Sequence, residues 1–116
     1  MTNLARLPPL GQRNPPLVSP AMRRSAQGQT CTLRLPCCNG RLDTTVLAHV
    51  RAFGVAGMGQ KPHDWCAVYA CAQCHDALDR RDAATAGLWG WEDVSRAMIE
   101  TQRRMWAAGL IQEGKP

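Results

Sequence analysis

The sequence predicts a small α+β domain with a C-terminal helix, preceded by an extended basic arm. Three observations carry this reading. Five of the eight prolines fall in the first twenty residues, short apolar segments of strand length occupy the middle, and an amphipathic helical pattern closes the chain. The length of 116 residues allows one domain and little more. With 45% apolar residues a core can form. A domain this small buries little surface, however, and commonly needs disulfides or a metal to hold it. Six cysteines are present for that role.

The charge is concentrated at the N-terminus. Residues 1–42 hold six arginines (Arg6, Arg13, Arg23, Arg24, Arg34 and Arg41) and no carboxylate, so the net charge of +5 originates there. Pro8, Pro9, Pro15, Pro16 and Pro20 forbid continuous helix or ladder pairing. Residues 1–28 therefore read as a flexible basic arm: either one that tracks phosphates by releasing their counterions, or a solvated leader, or a piece that packs on the domain. The domain itself is expected over residues 29–116. Thr30–Leu35 alternates at strand length and ends at Pro36, and Asn39-Gly40 signals a turn. Thr44–Val50 is rich in β-branched residues and predicts a second strand. Gly54, Gly57 and Gly59, followed by Lys61-Pro62, mark a loop. Ala67–Ala70 is a short apolar segment leading into Cys71. A helix is expected from about Cys74 through Arg81, and a second over Glu92–Ala108. The second has Glu92 and Asp93 in its first turn, Arg103 and Arg104 in its last, and Gly109 just beyond. Val94, Met98 and Met105, with Ile99 and Trp106, read as its core stripe.

No apolar run is long enough to span a membrane, and the N-terminal residues lack the apolar stretch of a signal peptide. A cytoplasmic protein is expected, and in a reducing compartment its cysteines are metal ligands or core residues rather than disulfides. Cys71-Ala72-Gln73-Cys74 is a CxxC pair whose thiolates can share one tetrahedral Zn²⁺. Cys31 and Cys38 form a second pair, with Cys37 competing with Cys38; the alternative is that all are inert buried thiols. Cys66 reads as a core residue. Cys-x-x-Cys-His is also a haem-attachment pattern, but neither an export signal nor a distal ligand accompanies it. His75 and Asp79 share one helix face and could hold a second ion or a phosphate, unless Asp79 pairs with Arg80 or Arg81. His49 closes the second strand between apolar neighbours, as either a general base or a structural histidine. His63 lies in a loop and carries no assignment.

Four blocks in order, Cys31…Cys38-Asn39-Gly40, Val46-Leu47-Ala48-His49-Val50-Arg51, Gly57-Met58-Gly59-Gln60-Lys61-Pro62-His63-Asp64 and Ala70-Cys71-Ala72-Gln73-Cys74-His75-Asp76-Ala77-Leu78-Asp79-Arg80-Arg81, closely resemble the small YbcO-like nucleases of phages and prophages. Those are similar in turn to HNH endonucleases of the ββα-metal type. The resemblance covers roughly residues 20 to 110. It implies a small zinc-stabilised ββα-metal (HNH-like) domain that hydrolyses DNA phosphodiester bonds in phage or prophage DNA processing or recombination. Its partners would be DNA and the proteins of such complexes, in the cytoplasm of a bacterial host. By the same resemblance His49 is the general base, and Asp64, counted with it in the catalytic set, stands where the family usually has the Asn that braces the loop. His75 and Asp79 are ligands of a catalytic Mg²⁺ or other divalent cation, and Cys31, Cys38, Cys71 and Cys74 hold structural zinc. Arg51, Lys61 or Arg80 holds a flanking phosphate. Ala48 departs from the family, in which an acidic residue or histidine that binds the metal often precedes the base. Two competing readings are a non-catalytic, zinc-stabilised DNA-binding module and an adaptor that docks through the region of Trp89, Trp91 and Trp106. The enzyme reading requires His49 and His75 to face one cleft.

Overall fold

The computed structural model describes residues 16–51, 62–79 and 87–114. Its elements in chain order are helix α1 (Pro20–Ser25), strands β1 (Val46–His49) and β2 (Ala67–Ala70), and helices α2 (Ala72–Asp79) and α3 (Trp91–Ala107). The strands pair antiparallel, with Val46 opposite Ala70, Leu47 opposite Tyr69, Ala48 opposite Val68 and His49 opposite Ala67. Only Cys71 separates β2 from α2, so the hairpin and the helix form a ββα unit.

Alternation along the strands divides the core between two faces. On one face Ala48, Val50, Val68 and Ala70 pack with Leu33, Leu35, Val94 and Ala97; on the other, Tyr69 packs with Met22, Ala26 and Met105. Helix α3 packs on β2 and contributes to both. Its buried line is Val94, Ala97, Thr101 and Met105, at the three- and four-residue spacing of a helix face. The expected stripe is therefore correct at Val94 and Met105. It is wrong at Ile99 and Trp106, each 57% exposed. Small Ala97 and Thr101 share the buried line with Val94 and Met105, and Met98 packs at its edge, while Ile99 and Trp106 lie on the solvent side.

The helix boundaries follow local chemistry. Asp93 accepts the Gly90 amide at 2.9 Å to open α3. At its end Gly109, with φ of 78°, lets the Leu110 amide reach the Met105 carbonyl at 2.8 Å and its own amide reach Trp106 at 3.0 Å, a Schellman closure. Helix α2 begins two residues earlier than expected; the end of the expected span, at Arg80 and Arg81, lies outside the described residues. So do the glycine loop and Lys61.

Two expectations are corrected. Thr30–Leu35 is not a strand. Arg34 takes a left-handed φ of 47°, and the carbonyls of Thr32 and Leu33 accept the Arg96 guanidinium at 3.2 and 3.1 Å instead of a neighbouring strand. Within the arm expected over residues 1–28, the part from residue 16 onward is not extended. The Ser19 hydroxyl accepts the Met22 amide at 3.1 Å as the α1 N-cap, with Pro20 preset for the first turn. Met22 and Ala26 are buried. Residues 1–15 lie outside the described residues.

Two buried hydroxyls join α3 to the sheet. Thr101 Oγ1 accepts the Tyr69 amide at 3.1 Å and lies 3.1 Å from Thr32 Oγ1, which donates to the Tyr69 carbonyl at 2.9 Å. In Thr101→Val the Tyr69 amide loses its partner, so urea melts should show a loss of about 1–3 kcal/mol, and hydrogen exchange at Tyr69 should accelerate.

Candidate active site and metal centre

The cysteine centre is built from two bends. Cys31 and Cys38 flank the left-handed Arg34 and precede Gly40, whose φ is 69°. Cys71 ends β2, and Cys74 lies in the first turn of α2. The four Sγ atoms lie within 4.8 Å of one another. A tetrahedral S₄ site with Zn–S near 2.3 Å requires sulfurs about 3.8 Å apart, and Cys38 and Cys71 meet that at 3.8 Å. Backbone amides point at the sulfurs: Arg34 at Cys31 (3.5 Å) and Cys74 at Cys71 (3.4 Å), with Gly40, Asn39 and Leu35 serving Cys38, Cys71 and Cys74. Burial pushes the Cys71 thiol up, but the Asn39 and Cys74 amides outweigh it and bring the group to about 7. Burial and the neighbouring Cys31 push Cys74 far up. Four clustered sulfurs with amide donors around them suit a thiophilic cation. Cys37 is not in the cluster; its thiol donates to the Gln73 carbonyl at 3.7 Å. Cys66 is buried in the core, as expected.

The second constellation lies at the other end of β1. Asp64, in the segment before β2, has a side chain only 1% exposed. Its carboxylate accepts the Ser19 amide at 2.6 Å, Arg23 Nε and Nη2 at 3.0 and 3.2 Å, and His49 Nε2 at 2.8 Å. Burial alone would raise its pKa, but Arg23, the Ser19 amide and His49 hold it at about 2. An ionised carboxylate only accepts hydrogen bonds. The proton on neutral His49 therefore sits on Nε2, leaving Nδ1 with its lone pair. The clasp continues along the chain, where the Asp64 amide donates to the Leu17 carbonyl at 3.0 Å and the Leu17 amide to His63 Nδ1 at 2.7 Å.

Two clefts meet at His49 and Arg51. One, of about 220 Å³, is lined also by Leu78, Asp79, Trp89 and Trp91; the other, of about 240 Å³, by Val18, Arg23 and Pro62. His75 Nε2 lies 3.0 Å from Asp79 Oδ2. The structure thus brings His49, Arg51 and Asp79 to one cleft and ties His75 to it through Asp79. His75 and Asp79 together offer one nitrogen and one carboxylate, and among the described residues the cysteine cluster is the sole group of three or more such ligands. Two protein donors suit a hard cation that keeps most of its waters. Lys61 and Arg80 lie outside the described residues. Sequence reasoning missed Ser19 and Arg23 as partners of Asp64. Ser19-Pro20 is an N-cap signature that marks α1, but no sequence signal joins Arg23 to a residue 41 positions away.

Residues 20–109, from the first residue of α1 to the glycine that closes α3, match a family model described as "Putative nuclease YbcO". The protein of that name from Escherichia coli (strain K12) is 39% identical over 92 residues, covering 78% of this chain and 96% of its own. Its namesake from Enterobacteria phage 82 matches equally. A solved structure described as that of "a putative bacteriophage protein from Escherichia coli str. K-12 substr. MG1655" superimposes with a TM-score of 0.57 at 38% identity, covering 77% of this chain and all of that one.

Wild type should carry a metal by elemental analysis, and Cys71→Ser should lose it together with its cooperative melt, because such sites contribute directly to folding. Cys37→Ser should keep both. Asp64 ionises more readily folded than unfolded, so its contribution is present above about pH 4 and fades as the pH falls toward 2. Asp64→Asn should be less stable than wild type by about 2 kcal/mol at pH 7. In paired melts at each pH, where the metal's own acid lability is common to both proteins, that difference should shrink below pH 4.

Proposed function

The chain belongs to the family described as "Putative nuclease YbcO", and from that premise we propose that it is a metal-dependent DNA endonuclease with HNH-like, ββα-metal chemistry. The observation that carries this reading is the His49–Asp64 pair, 2.8 Å apart, opening on a cleft shared with Asp79. A hairpin followed directly by a helix supplies the base from its first strand and the ion ligands from its helix.

In this reading Asp64 is a positioning residue. Held by Arg23 and Ser19, it fixes the imidazole's orientation and tautomer, so that Nδ1 takes the proton from the attacking water. The water oxygen bonds to phosphorus as the P–O3′ bond breaks. His75 and Asp79 would hold the divalent cation, which supplies Lewis-acid stabilisation of the charge developing on phosphoryl and leaving oxygens. Arg51, where the clefts meet, neutralises a flanking phosphate; Lys61 and Arg80 are further candidates for that role. Zinc on Cys31, Cys38, Cys71 and Cys74 is structural. Arg6 and Arg13 add phosphate affinity without sequence preference. The relative from phage 82 supports a phage or prophage setting; the role we propose there is DNA processing or recombination, on DNA in the host cytoplasm. Among the described residues no helix is long and apolar enough to cross a membrane.

One observation favours the second reading, a non-catalytic DNA-binding module. Ala48 is fully buried and offers no ligand beside the base, leaving the ion two protein donors. Plasmid nicking separates the two. With Mg²⁺ or Mn²⁺, wild type should relax supercoiled plasmid, and EDTA should stop it. His49→Ala should cut 10²- to 10⁴-fold more slowly, the usual range for a lost general base, with DNA binding retained. Undiminished cutting by that variant removes His49 as the base, and failure of the wild type to cut with any metal favours the binding module.

A further inference from the structure

Two indoles stand at the catalytic cleft with no part in the chemistry above. Trp89 is immobilised: its Nε1 donates to the Ala77 carbonyl of α2 at 2.9 Å, and its ring packs edge-on against Trp91 at 5.1 Å and 83°. Trp91 is the first residue of α3, behind the Gly90 amide that Asp93 caps. It is thus held from two sides, yet remains 54% exposed and lines the cleft with His49, Arg51 and Asp79. Beyond His49 the second cleft continues toward Arg23.

An arginine and a braced, half-exposed indole lining one cleft form the arrangement that binds single strands, where phosphates meet arginines and bases stack on rings. A base within a duplex has both faces covered by its neighbours and can offer neither to an indole. We propose that Trp91 is a stacking platform for an unpaired nucleobase next to the scissile phosphate, making the substrate a single-stranded or locally unpaired DNA. This rests on the nuclease reading of the same cleft. Trp91 acts here as a specificity-determining residue: it selects strands with a free base and leaves the water attack to His49.

The test uses the full chain and two fluorescein-labelled mixed-sequence DNAs of equal phosphate count, one single-stranded and one a hairpin duplex. Binding is read by anisotropy without added divalent cation and cutting in Mn²⁺. Trp91→Ala should weaken single-strand binding roughly 5- to 150-fold, the span of one lost base–aromatic stack. Duplex binding should stay within about twofold. Trp91→Tyr should keep most of the single-strand affinity, and Trp106→Ala, on the exposed flank of α3, should leave both substrates unchanged. The cutting ratio of single strand to duplex should fall in Trp91→Ala by a comparable factor. Equal weakening on both DNAs, or unchanged single-strand binding, overturns the platform. If wild type cuts and Trp91→Ala keeps its substrate ratio, the platform fails and the nuclease stands. If wild type cuts neither DNA with any metal while Trp91→Ala still loses only single-strand binding, the nuclease reading fails and stacking by Trp91 stands.

Discussion

Convergence of four sulfurs is the constraint on which the rest of this small fold depends. The segment carrying Cys31 and Cys38 has no strand or helix to hold it, and it meets the β2–α2 junction at Cys71 and Cys74. Around that meeting the polar contacts are local and mutually consistent: Asn39 binds Thr44 and Gln73, and the Cys37 thiol reaches the Gln73 carbonyl. Four of the residues packed there, Ala48, Ala70, Ala77 and Ala97, are alanines. Alanine burial contributes little hydrophobic free energy per residue, so a metal held by the cluster would add stability that these positions do not. It also sets where α2 begins, and therefore where His75 and Asp79 project.

A second constraint acts at the opposite end of β1. Burying a carboxylate is costly unless its partners satisfy it. Asp64 has four donors, drawn from the segment before α1, from α1 itself and from β1. The N-terminal helix thereby becomes part of the site. Its arginine neutralises the charge that orients His49, and its Ser19 amide fixes the carboxylate plane. The two constraints are independent in chemistry, thiolate clustering at one end of the sheet and charge pairing at the other, with the ββα unit spanning the distance between them.

Much of this was legible in the sequence where local pattern and tertiary need agree. β1 lies within Thr44–Val50, α3 differs from its expected span by one residue at each end, and the four cysteines meet with Cys38 in preference to Cys37. Pattern failed where a partner distant in the chain decides the outcome. Thr30–Leu35 alternates like a strand, but Arg96 of α3 takes its carbonyls and Arg34 turns the chain. A proline-rich, basic segment reads as an arm, yet Ser19 and Pro20 start a helix that Asp64 anchors. On α3 the apolar side chains suggested the core face, whereas Ala97 and Thr101 share it with Val94 and Met105.

The threonine pair on β2 bears on how the molecule behaves in a crowd. A two-stranded sheet ordinarily leaves two open rims of amides and carbonyls, each a template for another chain. On the rim of β2 away from β1, the Tyr69 amide is taken by Thr101 and its carbonyl by Thr32, through both amide and hydroxyl. At Tyr69 that rim is occupied from within, by side chains and a bent segment rather than by a third strand. A partner chain therefore cannot extend the ladder through this position without displacing both threonines.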